Sequence, residues 1–115
     1  MLDTTYIVVY YKGAIIKEID FDWDIWNTQK NEVKHGVSRI EAESVFFDLD
    51  QVIFADRTHS TKAEKRLIIY AKSMENRVLM VGFTRRYGKI RVITARSASK
   101  KERKVYEEKK KERKS

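Results

Sequence analysis

The chain has 115 residues, 42% of them apolar and 37% charged, enough for one folded domain around one modest core. It has no cysteine, which excludes disulfides and thiolate metal sites, and no proline to interrupt an element. The formal net charge of +8 favours an anionic partner, whether nucleic acid, an acidic protein or an anionic membrane, and residues 100–115 hold nine cations against four anions, so most of the excess sits in the last segment.

Residues 1–20 open with Tyr6-Ile7-Val8-Val9-Tyr10-Tyr11, then Lys12-Gly13, then Ala14-Ile15-Ile16-Lys17-Glu18-Ile19. Two β-branched and aromatic runs around a glycine turn are expected to form a hairpin. The alternative is a translation start assigned too early, which would leave this segment without a native role. Asp20, Asp22 and Asp24 alternate, but the glycine and distal glutamate of a calcium loop are missing. They read instead as acids leading into a helix, with Asp22 or Asp24 as its N-cap.

The first helix is expected over 25–34, with Trp26 and Val33 on its buried face, Trp23 stapling its entry and Gly36 ending it. Ser38 and Glu41 have capping-box spacing and open a second helix, whose Ala42, Val45, Phe46 and Leu49 follow a buried stripe. Four strands follow, over 52–56, 66–72, 78–85 and 89–95, the last three joined by short turns into an antiparallel meander. Residues 57–65 are polar and read as a mobile loop. Ser99 and Glu102 form another capping box and start a C-terminal helix. Its only large apolar residues are Val105 and Tyr106, so 107–115 reads as a fraying basic tail. The expected fold is α+β: two N-terminal helices, a four-stranded mainly antiparallel sheet and a C-terminal helix, with 1–20 as an extension to a single domain over 21–115.

No segment approaches the ~18 apolar residues of a spanning helix, and the N-terminus lacks the pattern of a secretory signal. A cytoplasmic protein without a membrane partner is the expectation.

Phe21-Asp22-Trp23-Asp24, with Lys30, Asn31, Lys34-His35-Gly36-Val37-Ser38 and Glu41-Ala42, resembles the opening of BrnT toxins. Glu64-x-Arg66, the strand from Val78 to Thr84, and Ile90-Arg91-Val92-Ile93-Thr94-Ala95-Arg96-x-Ala98-Ser99-x-x-Glu102-Arg103 resemble the family's second half. The resemblance covers about residues 21–106. It implies a RelE-like fold and a toxin of a type II toxin–antitoxin pair that acts as a ribonuclease and stops translation. It also implies a BrnA-like ribbon-helix-helix antitoxin as partner, with operator DNA reached only through that antitoxin. Two departures from the family pattern are residues 1–20, which have no counterpart, and Ala71, where glycine is frequent.

RNA can be cut without metal or cofactor when its own 2′-hydroxyl attacks the adjacent phosphate. The protein must then move protons and neutralise charge on phosphorus, tasks suited to histidine or glutamate and to the planar arginine fork. The candidates are Arg66, Arg85, Arg91, Arg96, Glu64 and His59, with Lys89, Lys100, Lys101 and Arg103 as further RNA contacts. His35 is placed at a helix end, where a favourable dipole contact is the simpler role. If the two short turns set the registers, Arg66 faces Phe83 and Phe83 faces Arg91, which gathers Arg66, Arg85 and Arg91 on one face. Arg96 then lies about 17 Å further along and on the opposite face.

Two sites therefore compete: the first three arginines with Glu64 or His59, or Arg96 with the N-terminus of the last helix. Plainer roles stand beside each. Arg96 can pair with Glu102, Arg66 can serve the sheet edge, His59 can be solvated, and Tyr70, Phe83 and Tyr106 can be packing residues. A non-catalytic basic module that binds RNA, or a translation or DNA-topology target, is the second functional reading.

Overall fold

The computed structural model of the chain describes residues 2–11 and 14–114, with side chains from residue 19 onward. The elements in order are β1 (Leu2–Tyr11), β2 (Ala14–Asp24), α1 (Ile25–His35), α2 (Arg39–Ser44), a 3₁₀ turn (Val45–Phe47), β3 (Val52–Ala55), β4 (Arg66–Lys72), β5 (Val78–Arg86), β6 (Lys89–Ser97) and α3 (Lys100–Lys114). The sheet has six strands in the order β1-β2-β6-β5-β4-β3, not the four expected. Strands β1 and β2 pair antiparallel as the expected hairpin, whose Lys12-Gly13 turn lies outside the described residues. The additional strands arise because β2 continues to Asp24 and meets β6 in parallel, at Phe21 opposite Ile90 and Asp22 opposite Arg91. Phe21 and Trp23 are fully buried, so the acidic alternation is the other half of a period-two strand.

Helix α1 starts where Asp24 accepts the Trp26 N–H at 2.8 Å and ends at Gly36, whose φ of 64° suits glycine. The expected apolar face is reversed. Trp26 and Val33 are 77% and 88% exposed, and Trp23 belongs to the core rather than to a staple. The helix lies along the edge of β6 that β2 leaves free. There Asn31 accepts the Ala95 N–H at 3.1 Å, and Asn27 donates to the Val92 carbonyl at 3.5 Å. An edge with open backbone groups calls for amides, which is why Asn31 is the residue α1 buries.

Helix α2 is capped by Ser38, which accepts the Glu41 N–H at 3.1 Å. The box is half-formed, because the Glu41 carboxylate turns inward to Arg77 and Ser73. Ala42, Val45 and Phe46 are buried as expected, whereas Leu49, beyond the 3₁₀ turn, is exposed. These residues cover one face of the sheet, packing with Phe21, Trp23, Ile69, Ala71, Leu79, Val81, Phe83, Val92 and Ala95. Phe46 sits edge-on between Phe21 and Phe83, with ring centroids 5.4 and 5.0 Å away.

On the other face α3 buries Tyr106 against Val52, Val78 and Ala98, with Tyr70 packed alongside. The Tyr106 hydroxyl donates to Asp48 at 2.7 Å, and burial together with that carboxylate holds the phenol well above its ordinary pKa. The far half of α3, expected to fray, is helical to Lys114, and Arg113 donates to the Gln51 carbonyl at 2.7 Å.

One polar cluster ties these layers together. Arg77 grips Glu41 through Nε at 2.7 Å and Nη2 at 2.6 Å, and also donates to Gly36 O and Ser97 Oγ. Arg77 holds the buried Glu41 carboxyl below its ordinary pKa, against the opposing effect of burial. Replacing Glu41 by Gln should cost about 1.5–3 kcal/mol at neutral pH, the range for hydrogen bonds to charged groups. Because the folded-state pKa is depressed, this stabilisation is complete above 4.5, the ordinary value, and is lost as pH falls through the depressed value. The difference in urea midpoint between wild type and Glu41→Gln should be largest at pH 7 and narrow as pH is lowered below 4.5.

Candidate functional site

The register of β5 and β6 decides which arginines meet. Gly82 pairs with Thr94 but Phe83 pairs with Val92, so Ile93 is an extra, bulged residue in β6. Arg91 is opposite Thr84 and Arg96 opposite Met80, positions four apart on β5 and hence on one face. Arg66 is also opposite Thr84. The expected opposition of Arg96 to Arg66 and Arg91 is therefore corrected. Five residues would invert the facing, and the bulge restores it. Arg85, expected beside Arg66 and Arg91, pairs with Ile90 and belongs to the other face, because the β4–β5 and β5–β6 registers are each one residue from those expected.

Arg66 and Arg96 line a single cleft of about 500 Å³. His59 and Asp56 from the β3–β4 loop, Lys30 from α1 and Glu102 from α3 complete its polar wall. Ile68, Met80, Gly82 and Ile93 contribute an apolar part. The two competing sites are thus parts of one. The Arg66 and Arg96 rows are about 13 Å apart along β5, so their side chains bracket the cleft.

Each guanidinium already holds a carboxylate. Arg96 makes a two-pronged contact with Glu102, at 2.7 and 3.0 Å. Glu102 also accepts the Ser99 N–H at 2.8 Å and donates its own N–H to Ser99 Oγ at 3.2 Å, so a capping box stands at the α3 N-terminus expected as an anion site. Burial of Glu102 opposes ionisation, but the bonds from Arg96 and Ser99 outweigh it and hold the carboxyl below its ordinary pKa. Arg66 Nε donates to Glu64 at 2.8 Å, Arg86 contacts the same carboxylate at 3.3 Å, and the Arg66 bond holds Glu64 low in pKa. A carboxylate held down in this way is a weak base, and Glu64 does not line the cleft.

Arg91 is drawn from the cleft to Asp24 at 3.1 Å, with Asp22 at 4.0 Å. Exposed Arg85 has no side-chain partner among the described residues. Lys89 stands at the β5–β6 turn, Lys100 and Lys101 are exposed on the first turn of α3, and Arg103 donates to the Ala98 carbonyl at 2.7 Å. None of these four lines the cleft.

The expected mobile loop is closed by hydrogen bonds. Asp56 N donates to Arg66 O at 2.9 Å, Ser60 Oγ donates to Asp56 O at 2.6 Å, and Arg66 N donates to Ser60 Oγ at 2.9 Å. Within it the Asp56 carboxylate accepts the His59 N–H at 3.2 Å and stands 2.9 Å from Nδ1 of the ring. Among the described residues no group of three His, Asp or Glu side chains is placed to hold a metal, and no helix is long and apolar enough to cross a membrane.

Residues 23–102 match the family model for the ribonuclease toxin BrnT of type II toxin–antitoxin systems. The chain belongs to the BrnT family. No curated protein sequence matches it. The family is thus one of ribonuclease toxins, and a type II system implies an antitoxin partner for this BrnT chain. The matched span contains every residue of the cleft, and omits β1, most of β2 and most of α3.

Sequence reasoning missed Asp56, Lys30 and the apolar residues around Gly82. The available signal was the polar run before Arg66 and the lone glycine within β5, which a bulge explains. Replacing Glu102 by Gln keeps an acceptor for Ser99 but removes the negative charge beside Arg96. At low salt Glu102→Gln should retain single-stranded RNA several-fold more tightly than wild type, with the gap closing as salt rises. Unchanged affinity in a filter-binding titration would place the RNA elsewhere.

Proposed function

We propose that this BrnT protein is a metal-independent endoribonuclease that cuts RNA by attack of the 2′-hydroxyl and thereby inhibits translation. The observation carrying this reading is the Ile93 bulge, which turns Arg96 toward the same cleft as Arg66 and His59. Two guanidinium groups bracketing a phosphodiester can neutralise the charge that develops on phosphorus. As the O2′–P bond forms and the P–O5′ bond breaks, the 2′ proton passes to a base in the cleft. The departing 5′ oxygen takes a proton from water, leaving a 2′,3′-cyclic phosphate. Lys30 adds a third cation at the rim.

Purified protein incubated with labelled RNA in EDTA should yield discrete fragments with cyclic-phosphate ends. Arg66→Ala and Arg96→Ala should each slow this by about 10²–10³, the usual loss on removing one oxyanion contact, while circular dichroism stays unchanged. Full activity in both variants would exclude the cleft.

The carboxylate already bound to each cleft arginine favours a second reading, a binding module that holds RNA without cutting it. Intact RNA with salt-sensitive retention in the same assay selects it.

The proposed partner is a BrnA-like antitoxin with a ribbon-helix-helix part, through which alone operator DNA is reached. Exposed Trp26 and Val33 on α1, beside Lys30 and Lys34, suit an amphipathic antitoxin segment with acidic and apolar residues. Trp26→Asp should remain toxic in growth assays while escaping neutralisation by co-expressed antitoxin.

A further inference from the structure

We propose that Asp56 is a positioning residue that fixes the ring of His59 so that its Nε2 accepts the 2′-hydroxyl proton, an inference that rests on the ribonuclease reading of the cleft. The two oxygens of Asp56 are both spent on this one residue: Oδ1 on the backbone N–H of His59 at 3.2 Å and Oδ2 on ring Nδ1 at 2.9 Å. The sheltering is asymmetric. The Asp56 side chain is 16% exposed and that of His59 64%. A carboxylate at Nδ1 favours the tautomer with its proton on that nitrogen, which leaves a lone pair on Nε2. Nε2 has no partner among the described residues.

A surface ion pair of this kind often does nothing, since exposed pairs contribute little to stability. Two further observations separate this one from that case. The loop is tied to the backbone of Arg66 itself, through Asp56 N, Ser60 Oγ and Arg66 N, so imidazole and guanidinium are held by one hydrogen-bonded unit. The other ionisable groups of the cleft are also unsuited to accept a proton. Glu102 is bound by Arg96, while Lys30, Arg66 and Arg96 are cations. Among the described residues lining the cleft, His59 is the one imidazole, and Asp56 holds it at Nδ1.

In the reaction this fixes one proton: the 2′ oxygen sheds it to Nε2 as O2′–P forms, P–O5′ breaks, and His59 later returns it to water. The experiment uses the full chain. Long-range ¹H–¹⁵N spectra of neutral His59 should show the Nδ1–H tautomer in wild type and a shift toward the Nε2–H form in Asp56→Ala. This readout needs no RNA and therefore stands even if cleavage is not observed. In cleavage assays His59→Ala should lose about 100-fold, the lower end for a general base, and Asp56→Ala about 10-fold. The double variant should match His59→Ala within about twofold, because Asp56 acts only through the ring. Asp56→Glu, which can restore a carboxylate to Nδ1, should recover part of both signals. An unchanged tautomer in Asp56→Ala overturns the proposal, as does a double variant markedly slower than His59→Ala. Loss of cleavage by wild type itself counts against the ribonuclease reading and leaves the tautomer result to judge the positioning.

Discussion

The cleft depends on one unpaired residue. In a regular strand Arg91 and Arg96 face opposite ways, and Arg66, held opposite Thr84 and thus in the row of Arg91, would share no face with Arg96. Ile93 breaks the count. Its insertion between Val92 and Thr94 lets the first half of β6 give Ile90 and Val92 to the α2 side and Arg91 to the other, while the second half gives Ala95 to the core and Arg96 to the cleft. Gly82 stands where the register shifts. A side chain there would meet the Thr94 methyl at 3.0 Å, tighter than ordinary contact, so the small residue and the bulge belong together.

A second constraint is the short pairing of β2 with β6. Two matched positions leave the rest of the β6 edge uncovered, and α1 fills the gap with amide side chains in place of a strand. A helix beside a strand edge buries little apolar surface. The Trp26 and Val33 side chains accordingly point outward, and the core is completed instead by Phe21 and Trp23 from the strand before it.

Much of this was legible in the residues. The meander, the glycine stop of α1, the serine caps and the Ala42-Val45-Phe46 stripe follow from local chemistry, and Arg66, Arg96 and His59 are residue types suited to a phosphate wherever the fold puts them. The orientation of α1 was not legible, because Trp26 and Val33 have helical spacing whether that face meets a core or solvent. Strand β2 was obscured because its acids, Asp20, Asp22 and Asp24, imitate the approach to a helix. Facing along β6 required the bulge, and a run such as Arg91-Val92-Ile93-Thr94 carries no mark of which residue is left unpaired. The closure of the 57–65 loop rests on hydrogen bonds that join Asp56 and Ser60 to the backbone of Arg66, which composition alone does not encode.

Glu102 joins the start of α3 to the cleft wall. The same carboxylate closes the first turn through Ser99 and occupies the fork of Arg96. The helix it caps carries Tyr106 and Arg113, which reach Asp48 and the Gln51 carbonyl just ahead of β3. The cleft wall and the C-terminal helix therefore share one side chain, and a change at Glu102 touches both.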